Sequence, residues 1–268
     1  MNNTNGNTES YDWLTPDFYP QAYNRFNRLR WGIDPFKGKY YYSNLDPAEF
    51  GLSEDETSRI PLSLFMAVHL KLSIQSLVGQ INRFNSDIFA LKAWQNILRD
   101  YQKIQRIHLQ SEFVEPLLHS CMLAPFALRN QIIFTGTKIA ILVEKGRLQP
   151  KLPNDRSKEY SEHFKQWAGN WDGFNLVEKL LKQLSDEKFN QQTNEFRHRY
   201  THRIPPCIAY GLSPNFKFER DGPRLKVYFS PEKPLQLHQC IKASVIQHRA
   251  CVKTFRAFWT MIRNRLQV

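Results

Sequence analysis

Within the run Glu195-Phe196-Arg197-His198-Arg199-Tyr200-Thr201-His202-Arg203, three arginines and two histidines fall inside seven positions. Imidazole, with an ordinary pKa of about 6.5, both takes and returns a proton near neutrality. Guanidinium presents a planar fork of donors that matches a phosphate. A histidine that draws the proton from an RNA 2′-hydroxyl, with an arginine set against the charge that builds on phosphorus, would cleave the chain without a metal ion. On a helix, at about 100° per residue, Phe189, Thr193, Phe196 and Tyr200 make one stripe, and Glu195, His198, Arg199 and His202 make another. The first is expected to face the core and the second a partner or a cleft. The cluster also has a purely structural reading, because the dipole stabilises each exposed cation in the last turn of a helix by about 0.3–1 kcal/mol.

This segment resembles the Arg-x4–6-His motif of the HEPN superfamily (higher eukaryotes and prokaryotes nucleotide-binding), in which Asn, Asp or His commonly follows the arginine. Arg197-His198-x-x-x-His202 has that form. The resemblance implies an all-α bundle, a homodimer that brings two motifs together across a cleft, and metal-independent endoribonuclease activity in a toxin, antiviral-defence or RNA-processing setting. RNA is the implied substrate, and an antitoxin or regulatory protein is admitted as a further partner. Arg197, His202 and His198 are then the catalytic set, with Glu195, Arg199 and Arg203 supporting them. Members paired with a nucleotidyltransferase antitoxin often carry Tyr two residues after the histidine. This chain has Ile204 there, which argues against that particular partner. Arg197 and His202 are five residues apart, about 140° around a straight helix. They share one phosphate only if the helix bends, the arginine curls round, or two chains each supply one residue, and the two-chain arrangement is favoured. A second match in spacing, Arg156-x6-His163, has Ser157 after the arginine and lies in a polar stretch, so it is set aside.

Other chemistries fit less well. His198 and His202 have the spacing of a helical zinc pair, but Arg199 stands where a zinc protease needs glutamate and the surrounding charge repels a cation. No metal ion and no cofactor is expected. Neither glycine-rich phosphate loop, G-x-x-x-x-G-K-[ST] or G-x-G-x-x-G, occurs, which excludes nucleotide hydrolysis by those routes. His69 and His119 sit among apolar residues and read as core or boundary groups. Cys121, Cys207, Cys240 and Cys251 form no C-x-x-C pair, against a zinc ribbon or a disulfide framework.

Composition agrees with an anionic partner. Lysine and arginine number 37 against 25 acidic residues, a formal charge of +12, and this basic balance favours nucleic acid. With 41% hydrophobic residues and 13% aromatic, the chain can bury a full core rather than remain disordered. Met1 to Ser10 lack the basic start and apolar stretch of a secretory signal. Pro125, Arg129, Asn130 and Lys138 interrupt the most apolar region, Leu117 to Val143, so no membrane span is expected. The expected location is cytoplasmic.

The elements that must hold the motif form a mainly α antiparallel bundle. Residues 1–60 are expected to be an irregular aromatic-rich segment, and 61–268 the HEPN-like helical domain. A helix from Pro61 carries Leu70, Ile74, Leu77 and Ile81 on one face. A second, capped at Asn85 or Ser86, carries Ile88, Trp94 and Ile97 back antiparallel to it. Leu117 to Glu144 is apolar nearly all round and reads as the central helix, with Pro125 as a site for a kink. Leu148 to Asn170 reads as a polar connection. Asp172 is expected to cap a helix that bends near Ser185-Asp186 and ends at Pro205-Pro206. Residues 215–229 alternate around Asp221-Gly222 as a small β-hairpin. A basic helix from about Leu235 to Leu266 closes the chain, with Lys242, Arg249, Lys253, Arg256, Arg263 and Arg265 available to hold phosphates or simply to meet water. Trp13, Tyr19, Tyr23 and Trp31 are candidates for base stacking, although core packing is the commoner fate.

Overall fold

Helices α1 (Phe18–Arg30) and α2 (Leu64–Ile97) begin the computed structural model, which describes residues 18–30, 45–46, 49–50, 53, 64–145, 157–202, 216–221, 224–229 and 234–267. α2 is one uninterrupted helix of 34 residues, so the break expected at Asn85 or Ser86 does not occur. A residue suited to capping ends a helix only where the apolar stripe also ends. Here the stripe continues, with Ile81, Phe84, Ile88, Leu91 and Trp94 all buried. Asn85 is buried inside the helix, and the Ser86 hydroxyl accepts a hydrogen bond from Arg30 instead.

The chain turns later, through a 3₁₀ turn at Leu98–Asp100, helix α3 at Lys103–Leu109 and a π-helical turn at Gln110–Val114. A capping box between Gln102 and Gln105 starts α3. Helix α4, Glu115–Lys145, then runs back along α2. Trp94 stacks on Phe113 just before the start of α4, and farther along the Ser120 hydroxyl donates to Asp87 at 2.8 Å. Partners retreat along α2 as α4 advances, so the two helices are antiparallel. Pro125 sits inside α4, which continues past it.

The aromatic-rich N-terminal segment is not wholly irregular. α1 docks through Phe26, whose ring stacks 4.8 Å from Trp94, and Trp94 stacks 4.7 Å from Phe113. Three rings thus fasten α1, α2 and the π turn together, each pair adding about 0.5–1.5 kcal/mol beyond its buried area. Tyr19 and Tyr23 are exposed beside Phe113. Trp13 and Trp31 lie outside the described residues.

A helix also stands where a polar connection was expected. α5, Ser157–Ala168, packs on α4. Among its described side chains Phe164, Trp167 and Ala168 make the apolar stripe, a spacing of three and four that the many charges around it conceal. α6, Phe174–Leu181, follows. Its N-cap is Gly173, in the left-handed conformation at φ 86°, rather than Asp172. Gly173 supplies the turn itself, and the Asp172 carboxylate accepts from Asn264 at 3.5 Å.

Two short helices, α7 (Glu187–Gln192) and α8 (Phe196–His202), lead to strands β1 (Phe216–Asp221) and β2 (Arg224–Phe229). The strands pair antiparallel, with Phe216 opposite Phe229 and Asp221 opposite Arg224. Gly222, in the expected turn, lies outside the described residues. Helix α9, Leu237–Leu266, packs on α2, α4, α6 and α7. The protein is mainly helical, with α2, α4 and α9 at the centre of its core. The region Ile104–Glu144 is long and apolar enough to cross a membrane by length and hydropathy, and 56% of its most apolar window is buried within the protein.

Candidate functional site

The motif is positioned by two breaks in the chain after α6. Ser185 adopts a left-handed φ of 54°, and its N–H is met by Gln247 Oε1 from α9 at 2.9 Å, while Gln247 Nε2 donates to the Gln183 carbonyl. Asp186 then caps α7 by accepting from the Phe189 N–H at 2.9 Å. This is the bend expected at Ser185-Asp186.

The second break was not legible. Asn194 and Glu195 are both left-handed, at φ 50° and 52°, and together they separate the axes of α7 and α8. The Glu195 N–H donates to the Asn190 carbonyl at 2.7 Å, and the Glu195 carbonyl accepts from Arg199 at 3.0 Å. Glu195 therefore caps α8 with its backbone and does not belong to a helical stripe with His198, Arg199 and His202. Buried Thr193 secures the turn by donating its hydroxyl to the Phe189 carbonyl at 2.8 Å.

α8 lies against α4. Phe196 is fully buried, 5.2 Å from the His119 ring and stacked 5.8 Å from Tyr200. Tyr200 meets His119 edge-on at 5.3 Å, although the tyrosine is 43% exposed. Phe189, Thr193 and Phe196 thus face the core, and Tyr200 stands at its margin. Two turns along α4 from His119, the Phe126 ring carries the Arg197 guanidinium, 3.9 Å from its centroid. Arg129 follows one turn later. Burial first, and then the positive charge of Arg197, draw its guanidinium below the ordinary range. Burial likewise lowers the pKa of His119, which favours the neutral ring.

The structure therefore gathers Arg197 with Phe126 and Arg129, beside the ring cluster of His119, Phe196 and Tyr200. It does not gather Arg197 with His198, which is exposed one position on. Arg199 is half-buried. Position 202 is the last of α8, and because α8 is helical throughout, it stands about 140° round from position 197 and close to the side of position 198. Arg203 lies outside the described residues, as do Arg156 and Cys207. Phe126 and Arg129 were missed as site residues. Their signal in the sequence is slight: Arg129 is the single arginine between Leu117 and Val143.

Two further features carry charge. On α9, Lys242, Arg249, Lys253 and Arg256 are exposed at spacings that keep them on one face. Arg249 also lies near enough to Lys92 of α2 to reinforce the lowering of its pKa by burial. A hollow of about 270 Å³ is lined by Gln95, Leu98, Arg99, Arg106, Leu237 and His238, among others, and by no motif residue. Among the described residues no three His, Cys, Asp or Glu side chains converge as a metal site.

No family model, no curated protein and no solved structure matches this chain.

Proposed function

We propose that the protein is a metal-independent endoribonuclease of HEPN type that acts as a homodimer on RNA. The observation that carries this reading is the Arg197 guanidinium held over Phe126 at the junction of α8 and α4. A long side chain is pre-positioned there, and pre-positioning is what stabilises charge developing on a phosphate. In this reading the 2′-oxygen attacks phosphorus as His202 takes its proton. Arg197 binds the charge on the phosphate, the bond from phosphorus to the 5′-oxygen breaks as that oxygen takes a proton from water, and His198 orients or assists. The products end in a 2′,3′-cyclic phosphate and a 5′-hydroxyl. Arg199 and Arg203 add positive charge at the helix end, and Glu195 supports the site through the turn that starts α8.

The separation of positions 197 and 202 around α8 favours a composite site in which one chain supplies the arginine and the other the histidine. The exposed cations of α9 would hold the RNA backbone, which is salt-dependent and sequence-blind. A cytoplasmic toxin or antiviral nuclease, checked by an antitoxin or regulatory protein, is the setting proposed.

Purified protein incubated with mixed RNA in EDTA is expected to give fragments with cyclic-phosphate ends, and Arg197→Ala or His202→Ala to abolish them. Cleavage unchanged in both variants would refute the assignment. The contact of Arg197 with Phe126 also favours a second reading, a catalytically inactive RNA-binding or protein-interaction scaffold in which the arginine serves packing. RNA affinity with a steep salt slope, without cleavage at high protein concentration, selects that reading.

A further inference from the structure

Arg129 lies midway along α4, where the stretch from Leu117 to Val143 contains one other cation, Lys138, and no acidic residue. Its Nε is shielded from solvent and meets no hydrogen-bond partner among the described residues. Phe126 stands three residues before it, on the same face of the helix. Over that ring sits the guanidinium of Arg197, 3.9 Å from the centroid. The two cations therefore occupy one patch where α8 crosses α4. Among the described residues neither has a carboxylate partner.

Two like charges held together and partly dehydrated cost free energy, and a counter-charge offsets it. Among the described residues no carboxylate is paired with either guanidinium. The flat donor forks of two guanidiniums suit a tetrahedral oxyanion, which can accept from both at once. An ammonium or a divalent cation is repelled. A carboxylate satisfies one fork, whereas a phosphate has oxygens for two.

We infer that Arg129 and Arg197 form a two-arginine clamp for a phosphate of the RNA backbone, one arm from α4 and the other from α8. Phe126 is the positioning residue that holds the second arm in place. The inference rests on the proposed function and deepens it, by adding to the motif a phosphate-binding residue from a different helix.

The test uses the full chain and two probes. Inorganic phosphate is titrated against chloride at equal ionic strength while thermal unfolding is followed, because an anion that binds the folded state raises its melting temperature. A short RNA methylated at every 2′-oxygen, which cannot be cleaved, is titrated by fluorescence anisotropy. Wild type is expected to be stabilised more by phosphate than by chloride. Arg129→Gln is expected to weaken both phosphate and the blocked RNA at least tenfold. In the absence of phosphate, its melting temperature should equal or exceed that of wild type, because one of two like charges has gone. Arg129→Lys, which keeps the charge without the fork, should fall between the two.

A wild type that responds no more to phosphate than to chloride overturns the clamp, and this comparison stands even if Arg129→Gln does not fold. So does an Arg129→Gln protein that melts well below wild type yet keeps its phosphate response, since Arg129 would then serve the fold. Loss of phosphate binding with blocked-RNA binding unchanged overturns the assignment to RNA in favour of a small phosphate ligand. Blocked RNA bound through Arg129 by a protein that never cuts unmodified RNA supports the clamp and defeats the ribonuclease reading alone.

Discussion

The Arg197 guanidinium lies over the Phe126 ring, 3.9 Å from its centroid, so the arginine of the motif is fixed by an aromatic side chain from another helix. A cation over an aromatic face gains about 0.5–2 kcal/mol, more as the pair is dehydrated. A double-mutant cycle with Arg197→Ala and Phe126→Leu, read by chemical denaturation, is expected to give a coupling in that range. Phe126→Leu should also reduce cleavage while keeping the motif intact, because the guanidinium loses its platform. Additive effects on stability would remove the contact as a positioning device.

If one chain supplies the arginine and the other the histidine, two inactive variants complement each other. A mixed dimer of Arg197→Ala and His202→Ala chains contains one site with both residues native and one with neither. Equal mixing with random exchange makes about half the dimers mixed, each with one site of two, so about one quarter of wild-type activity should return. Each variant alone stays inactive. No recovery after proven subunit exchange would mean that both residues act from the same chain.

Gly136 marks a close approach of α4 to its neighbours. A Cβ there would stand 2.9 Å from Phe164 Cζ and from Phe258 Cε2, and closer still to Phe164 Cε2. On an open helix surface Gly→Ala gains about 1 kcal/mol. Here the clash with two rings outweighs that gain, and Gly136→Ala is expected to lose about 1–3 kcal/mol by overpacking. A variant as stable as wild type in urea unfolding would contradict the packing described.

His248 is buried on α9, its ring edge-on to Phe84 at 5.7 Å. Burial pulls its pKa down to about 4, with the positive charge of Arg249 adding to the fall and a backbone hydrogen bond at Ile81 opposing it. The unfolded chain binds this proton near pH 6.5 and the folded chain only near 4, so acid favours unfolding. The contribution of the neutral ring is fully present above pH 6.5. It is lost as pH falls from there to about 4, an effect of about 3 kcal/mol. Denaturation series at pH 7 and pH 4 should show wild type losing more stability than His248→Gln by that order. Equal losses in the two proteins would show that His248 carries none of the acid sensitivity.

Glu195 holds a left-handed conformation at φ 52° that costs a residue with a Cβ about 1–2 kcal/mol. Glu195→Gly relieves this strain but gives the unfolded chain more freedom, about 0.5–1 kcal/mol. A net gain of up to about 1.5 kcal/mol is expected by urea unfolding. Cleavage should persist if the residue acts through its backbone turn. A large loss of activity with stability unchanged would instead assign the carboxylate a part in the chemistry.

The residue types of the motif, the apolar helix α4, the basic amphipathic helix α9, and the bend at Ser185-Asp186 were all legible in the sequence. Each is written in consecutive residues, as an apolar period, a turn signal or a run of functional side chains. The continuity of α2 through Asn85 was not, because a good cap residue marks a helix start only if burial on both sides permits it, and Phe84 and Ile88 are both buried. Nor was the departure of Glu195 from the helix, since glutamate gives no sign of a left-handed turn. The tertiary structure alone decided which side chains stand around Arg197. Phe126 and Arg129 reach it through the packing of α8 on α4, and contacts between residues so far apart in the chain leave no period or spacing to read.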